Sequence, residues 1–318
     1  MKLENDYKIP QLQSDKFQAY REKMNSSLSE KAQGIFPYIQ DIQSSTKKIL
    51  SIGPGGGALE REMLKVFYDQ KILAIDYSLP MIEDLQHSQQ QLDEKAPTIE
   101  CIAAKANVMP LKDSSVSAIV ASSVIHEIAT FGDNFTFGQT VNQFFLEAQR
   151  VLVAGGRVII RDFMQYPQAE QMITLVVGEK QINDPSDPVD FLKKFINDFK
   201  GSDLSYIKRQ LTERISSGTE IKVNLKDALE IAGHFSWSHR YTDEVKERYA
   251  YFSVDQYAEY IENLLTKHEI KMKLIDKKTV FQSGYSEHIN GRLNFYPNGT
   301  DQTPCPPILT GYIVVEKQ

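Results

Sequence analysis

Cysteine is nearly missing from this sequence: Cys101 and Cys305 are the only two, and they stand far apart. That excludes a disulfide scaffold and a cysteine-based zinc site, and free thiols fit the cytosol. No apolar run is long enough to span a bilayer. The opening stretch "MKLENDYKIPQLQ" is polar and has no signal-peptide core. A cytoplasmic protein without membrane attachment is therefore expected. Positive charge is not in excess either. The 36 Lys and Arg stand against 42 Asp and Glu, a formal net charge of -6. Nothing global favours nucleic acid, whose binding rests on many cationic contacts to phosphates. Repeats and low-complexity tracts are absent.

What is present is alternation. The chain has 318 residues, 41% of them hydrophobic, enough to bury a sizeable core. From residue 48, short apolar runs ("KILSIG", "KILAID", "IECIAA", "VSAIVAS", "GRVIIRDF") alternate with amphipathic stretches. Strands alternating with helices predict a mostly parallel sheet. "SAIVAS" lacks in/out alternation, as expected of a strand covered on both faces. After Phe163 the alternation stops. Residues 164–248 carry helix-like segments such as "DPVDFLKKFINDF" and no run that predicts a sheet strand. The pattern returns at 253, where Ser253 and Gln256 form a capping box. Tyr257, Ala258, Ile261, Leu264 and Leu265 follow on one helical face. "KMKLIDKKTVF" and "ILTGYIVVEK" read as two final strands, and 284–307 between them as a loop.

The stretch "ILSIGPGGGALE" carries the chemistry. A strand ends, the chain turns tightly and a helix begins, with Leu59, Met63, Val66 and Phe67 on its inner face. Glycines remove the Cβ atoms that block close approach of a ligand, and the helix points free N–H groups into the same space. A P-loop is excluded, since no Gly-Lys-Ser/Thr follows. Gly53-x-Gly55-x-x-Ala58 satisfies the loose dinucleotide fingerprint. Gly53-x-Gly55-x-Gly57 satisfies the pattern that holds S-adenosylmethionine. Asp76 ends the second strand, where a carboxylate accepts ribose hydroxyls in either case.

The choice comes from "KANVMPL" ahead of the fourth strand and "RVLVAGG" ahead of the fifth. With the glycine loop and Asp76, in this order, they resemble class I S-adenosylmethionine-dependent methyltransferases, whose corresponding stretches are of the types DAxxLPF and RVLxPGG. The resemblance covers residues 48–163 well and 253–318 loosely. It implies an α/β fold with a Rossmann-like, seven-stranded, mostly parallel sheet flanked by helices. The expected organisation is an N-terminal helical lid at 1–47, the cofactor-binding core at 48–163, a helical cap insertion at 164–248 and completion of the sheet at 249–318.

The resemblance also implies S-adenosyl-L-methionine as cofactor. Gly53, Gly55 and Gly57 would line its methionine part, with Ser51 just ahead of them. Asp76 would hold the ribose, Tyr77 and Met81 the adenine faces, and Ala106 and Asn107 the adenine edge. Ala121 and Ser122 would face the sulfonium end. Two positions depart from the family. An acid often stands where Ser51 is, and an Asp often stands where Lys105 is, although a Lys cannot accept from the adenine amino group.

Methyl transfer to an acceptor is an in-line displacement that asks mainly for alignment and exclusion of water. The catalytic candidates are His126 and Asp162, because ligands bind beyond the carboxyl ends of parallel strands. His126, Arg161, Trp237 and Tyr285 are the substrate-binding candidates. His234 and His239, five apart and without a third ligand, make a poor metal signal, and no metal is expected. The expected activity is methylation of a small-molecule acceptor. Methylation of protein or RNA and a non-catalytic cofactor-binding scaffold are the alternatives. Oligomeric state is not legible.

Overall fold

The computed structural model describes residues 28–90, 98–179, 187–211, 216–281, 285–297 and 307–318. Cys305 and residues 1–27 of the expected N-terminal lid lie outside them.

The main sheet is built from β1 (Lys48–Ile52), β2 (Lys71–Asp76), β3 (Ile99–Ala103), β4 (Val116–Ser122), β5 (Leu152–Phe163), β8 (Met272–Phe281) and β10 (Leu309–Lys317). Its order is β3-β2-β1-β4-β5-β10-β8. The first five strands pair in parallel, and β10 runs antiparallel to both β5 and β8. This is the expected seven-stranded, mostly parallel sheet.

Consecutive residues of each central strand feed opposite faces. Leu50, Ile52, Ile119 and Ala121 join Phe144, Phe145 and Ala148 of α5 (Gln139–Val151) and Ile261 and Leu265 of α10 (Val254–Lys267). Ile49, Ala118 and Val120 join Ile35 and Ile39 of α1 (Leu28–Gln40), Met63 of α2 (Ala58–Val66) and Leu85 of α3 (Leu79–Gln90). Burial on both faces is why these strands read as unbroken apolar runs. Each fully buried Phe, Leu or Ile side chain contributes about 1.5–3 kcal/mol of transfer free energy. Val66, expected on the inner face of α2, is 42% exposed; Leu59, Met63, Leu64 and Phe67 pack there instead.

The start of α10 carries the expected capping box. Ser253 Oγ accepts from Gln256 N, and Gln256 Oε1 accepts from Ser253 N. The helix α1 is docked through Ile35 and Ile39. At Gly34 a Cβ would run into the Tyr312 ring, so only glycine lets helix and sheet meet there.

Residues 164–248, the expected cap, hold α6 (Pro188–Asp198), α7 (Ser205–Gln210), α8 (Leu225–Ser236) and α9 (Tyr241–Glu244). They also hold strands, which corrects the expectation that 164–248 contributes none. β6 (Met172–Val177) pairs antiparallel with β7 (Glu220–Asn224) and with β9 (Leu293–Tyr296). The stretch after β8 is likewise more than a loop, since it supplies β9 and the short α11 (Tyr285–Ile289). Leu175 and Phe295 from this small sheet pack with Phe191, Phe195, Ile231 and Phe235 in a second core. The strands escaped the sequence reading because they are short and their partners are remote, so no hairpin signal marks them.

Candidate functional site

Strand order reverses between β1 and β4, and the crevice beyond their carboxyl ends is where an open α/β sheet binds ligands. The register puts Ile52 beside both Ile75 and Ala121, and Ser122 beside Arg161. Gly53, Asp76, Ser122 and Arg161 therefore reach the same rim. A cavity of about 1000 Å³ opens there.

One half of its wall comes from strand ends in sequence order. Ser51, Gly53, Gly55, Asp76, Tyr77, Met81, Ala106, Asn107 and Ser122, all expected at the site, line it. Gly53 has φ +63°, and a Cβ there would sit 2.7 Å from Val124 Cγ2, so glycine is required for shape and conformation. Gly57 is not on the wall; Gly56 is. Gly57 instead caps α2 in the left-handed region (φ 73°), where a Cβ would strike Leu85. Ala121 is fully buried beneath the rim.

Asp76 Oδ1 accepts from Ser78 N at 2.8 Å. Burial pushes its carboxyl up to about 6, partly countered by the N–H groups of Ser78 and Tyr77. The Ser78 Oγ makes no hydrogen bond, while the Ser78 N–H is taken by the Asp76 carboxylate. Asn107 donates its amide N–H to Gln143 Oε1 at 3.0 Å. Lys105 lines the cavity and is exposed.

The other half comes from distant segments. His126, Arg161, Trp237 and Tyr285, the expected acceptor-side residues, all line the cavity. His126 lies on a short helix, α4 (Ile125–Glu127), directly after β4. Asp162 does not line the cavity; it sits behind His126, 3% exposed. Asp162 Oδ1 lies 2.6 Å from His126 Nδ1, and its other oxygen accepts from His126 N at 3.0 Å. Arg161 donates to Ser123 Oγ at 3.0 Å.

Burial pulls the His126 imidazole toward neutrality, but Asp162, Glu247 and Glu127 outweigh it and hold the ring well above its ordinary range. His126 Nε2 lies 3.6 Å from Glu247 Oε2. Glu127 is pushed well up by burial and by the charge of Glu247. Burial and the same neighbour raise Glu244 to about 8.

His126, Glu127 and Glu247 offer ligand-type atoms within 4.8 Å of one another. The His234–His239 pair is no metal site: the two ring nitrogens of His234 face the backbone oxygens of Glu230 (2.7 Å) and Glu244 (3.0 Å).

The aromatic-rich stretch 234–252 does two jobs. Tyr249 stacks on His234 and on Phe163, at centroid distances of 4.2 and 4.9 Å, while Trp237 and Tyr249 also face the cavity. Sequence reasoning missed Lys31, Glu60, Phe131, Arg240, Glu244 and Glu247 on this wall. Only Glu244 and Glu247 carried a signal, as acids three apart beside the aromatic stretch.

Residues 50–160 match the family model described as a methyltransferase domain. Among solved structures the chain is similar to a SAM-dependent methyltransferase from Methanosarcina mazei, with 13% identity, 89% of this chain and 98% of that chain covered, and TM-score 0.44. It is similar to a SAM-dependent methyltransferase from Aquifex aeolicus, with 13% identity, coverage of 96% and 100%, and TM-score 0.44. A third is the geranyl diphosphate C-methyltransferase from Streptomyces coelicolor A3(2), in complex with Mg2+, geranyl diphosphate and S-adenosyl-L-homocysteine; identity is 9%, coverage 96% and 85%, and TM-score 0.48. No curated protein matches the chain.

Proposed function

We propose that this chain, a class I S-adenosylmethionine-dependent methyltransferase, methylates a small molecule held between its sheet and its cap. Residues 50–160 match the methyltransferase-domain model, and in this reading S-adenosylmethionine is the cofactor. Among the described residues, no helix is long and apolar enough to cross a membrane.

The residues present fit the cofactor. Gly53 and Gly55 have φ of +63° and +53° and leave a bare backbone on the cavity wall. A half-buried acid, Asp76, ends β2, and the buried Ser122 Oγ at the end of β4 has no hydrogen-bond partner. In this reading Asp76 accepts the ribose hydroxyls and Met81 packs on adenine. Asn107 keeps its carbonyl oxygen for the adenine amino group, the function that Lys105 cannot serve. Bound there, the cofactor supplies a methyl group on a sulfonium with a good leaving group.

One observation carries the small-molecule reading: a single cavity joins the strand ends to cap residues. Its volume of about 1000 Å³ lies at the upper end of small-molecule sites, which suits a cofactor and a modest acceptor together. Trp237, Arg240, Glu244, Tyr249 and Tyr285 form the far wall. They exclude water and orient the acceptor, the two effects that methyl transfer needs most. His126, fixed through Nδ1 by Asp162, acts as an orienting residue for the acceptor in this reading.

The test has two steps. Calorimetry with S-adenosylhomocysteine, and NADH as control, is expected to show micromolar binding of the first alone. Methyl-labelled cofactor incubated with a cell extract is then expected to label the small-molecule fraction. Label confined to protein or RNA refutes the acceptor class, and cofactor binding without any labelled product favours a scaffold.

A further inference from the structure

Position 51 stands on the cavity wall two residues before Gly53, and a serine there cannot carry charge. The fold brings an acid to the same place from elsewhere. Glu60, in the first turn of α2, is 1% exposed and also lines the cavity. Ser51 Oγ donates to Glu60 Oε1 at 2.5 Å. The second oxygen, Oε2, accepts no hydrogen bond.

A buried carboxylate with an idle oxygen is costly, because it has lost its water without regaining an equal partner. Burial accordingly holds the Glu60 carboxyl above its ordinary range, while Ser51, its own backbone N–H, Lys31 and Arg61 pull it back. Such an arrangement is stable in function when a cationic ligand arrives to take the idle oxygen. Lys31 of α1 is half-buried on the same wall and senses the charges of both Arg161 and Glu60. The corner therefore offers one acid and nearby cations at the loop end of the cavity, away from Asp76. That charge pair complements a zwitterionic α-amino acid.

We propose that Glu60 binds the α-ammonium group of the cofactor's methionine end through Oε2, with Ser51 holding the carboxylate in place through Oε1. The acid function lacking at position 51 is thus supplied nine residues later, from the helix. Lys31 contributes positive charge toward the carboxylate of the same amino-acid end. This rests on the cofactor assignment above, and the experiment separates the two.

Calorimetry of the full chain uses three probes: S-adenosylhomocysteine, its analogue lacking the amino group (S-adenosyl-4-thiobutyrate), and methylthioadenosine, which lacks the whole amino-acid end. Wild type that binds none of the three overturns the cofactor reading and this inference with it. If S-adenosylhomocysteine binds, the deaminated analogue is expected to bind at least about 30-fold more weakly, in the range set by one charge-assisted hydrogen bond. Equal binding overturns the inference without touching the cofactor reading, and needs no variant. Glu60→Gln is expected to lose a similar factor for S-adenosylhomocysteine and to leave methylthioadenosine within about threefold. An equal loss for both probes marks a structural role and overturns the inference. The double variant Ser51→Asp with Glu60→Ser, which exchanges the two positions, is expected to recover most of the lost affinity.

Discussion

Asp76→Asn is expected to make the free protein more stable near neutral pH while weakening its hold on the cofactor. The Asp76 carboxyl stands at about 6 against an ordinary 3.8, because burial disfavours its charge. A shift of about two units corresponds to about 3 kcal/mol. The folded value is the raised one, so the stability tied to the neutral form is complete below the unfolded value and lost as pH rises through about 6. The charged Asp76 therefore costs the free protein up to about 3 kcal/mol near pH 8. It faces the cavity, where water lowers that cost.

Asparagine keeps an oxygen for the Ser78 N–H and gives up the charge assistance, about 1 kcal/mol. The net gain is about 1–2 kcal/mol near pH 8 and nothing near pH 4, a rise in melting temperature of about 2–5 °C at the higher pH. With ligand the sign reverses. Ribose hydroxyls donating to a carboxylate are worth about 1.5–3 kcal/mol each, so affinity for S-adenosylhomocysteine should fall about 10- to 100-fold. The assay is thermal unfolding at both pH values, with and without ligand. A variant that melts below wild type near pH 8 without ligand refutes the burial argument. An unchanged ligand-induced shift refutes the ribose assignment.

Gly53→Ala puts a Cβ 2.7 Å from Val124 Cγ2 at a φ of +63°; calorimetry should show at least a tenfold loss of S-adenosylhomocysteine affinity, with about 1–3 kcal/mol of destabilisation. Glu230→Ala strands the N–H groups of Tyr249 and Ala250, which now donate to its two oxygens at 3.1 and 2.9 Å. It should cost about 2–5 kcal/mol in denaturant unfolding, and a cost under about 1 would show that water replaces the carboxylate. Asp162→Asn should lower the His126 pKa by at least about one unit in an NMR titration of the ring. In wild type the raised His126 pKa means stability that is complete at acidic pH and lost as pH rises through the folded value, so that alkaline loss should shrink in the variant.

The core was legible because local signals there agree with the global arrangement. "VSAIVAS" is apolar throughout, and β4 is buried at every position but the last. Gly53, Asp76 and Ser122 each end a strand or follow one directly, so strand recognition alone brings them to one rim. The cap obeyed a different logic. Thr174 and Leu175 of β6 face Lys222 and Ile221 on one side and Tyr296 and Phe295 on the other, and no short window contains both partners. Gly57 shows the same limit on a smaller scale. Its place in the motif reads as ligand contact, whereas its positive φ and the nearness of Leu85 assign it to the helix start.

Charge was the least legible property, because the sequence gives residue types and the fold gives their states. A histidine after β4 reads as an ordinary imidazole, but Asp162 behind it and Glu247 beside it push its pKa well above the usual range. An acid reads as an ordinary carboxylate, but burial and the charge of Glu247 push Glu127 and Glu244 upward. Glu127 meets Glu244 and Glu247 only through the fold, since the two segments are remote in sequence. The same reasoning explains the corner at Ser51. Counted along the strand, an acid is missing there; counted in space, Glu60 fills the place, and its Oε2 is the buried oxygen still waiting for a donor.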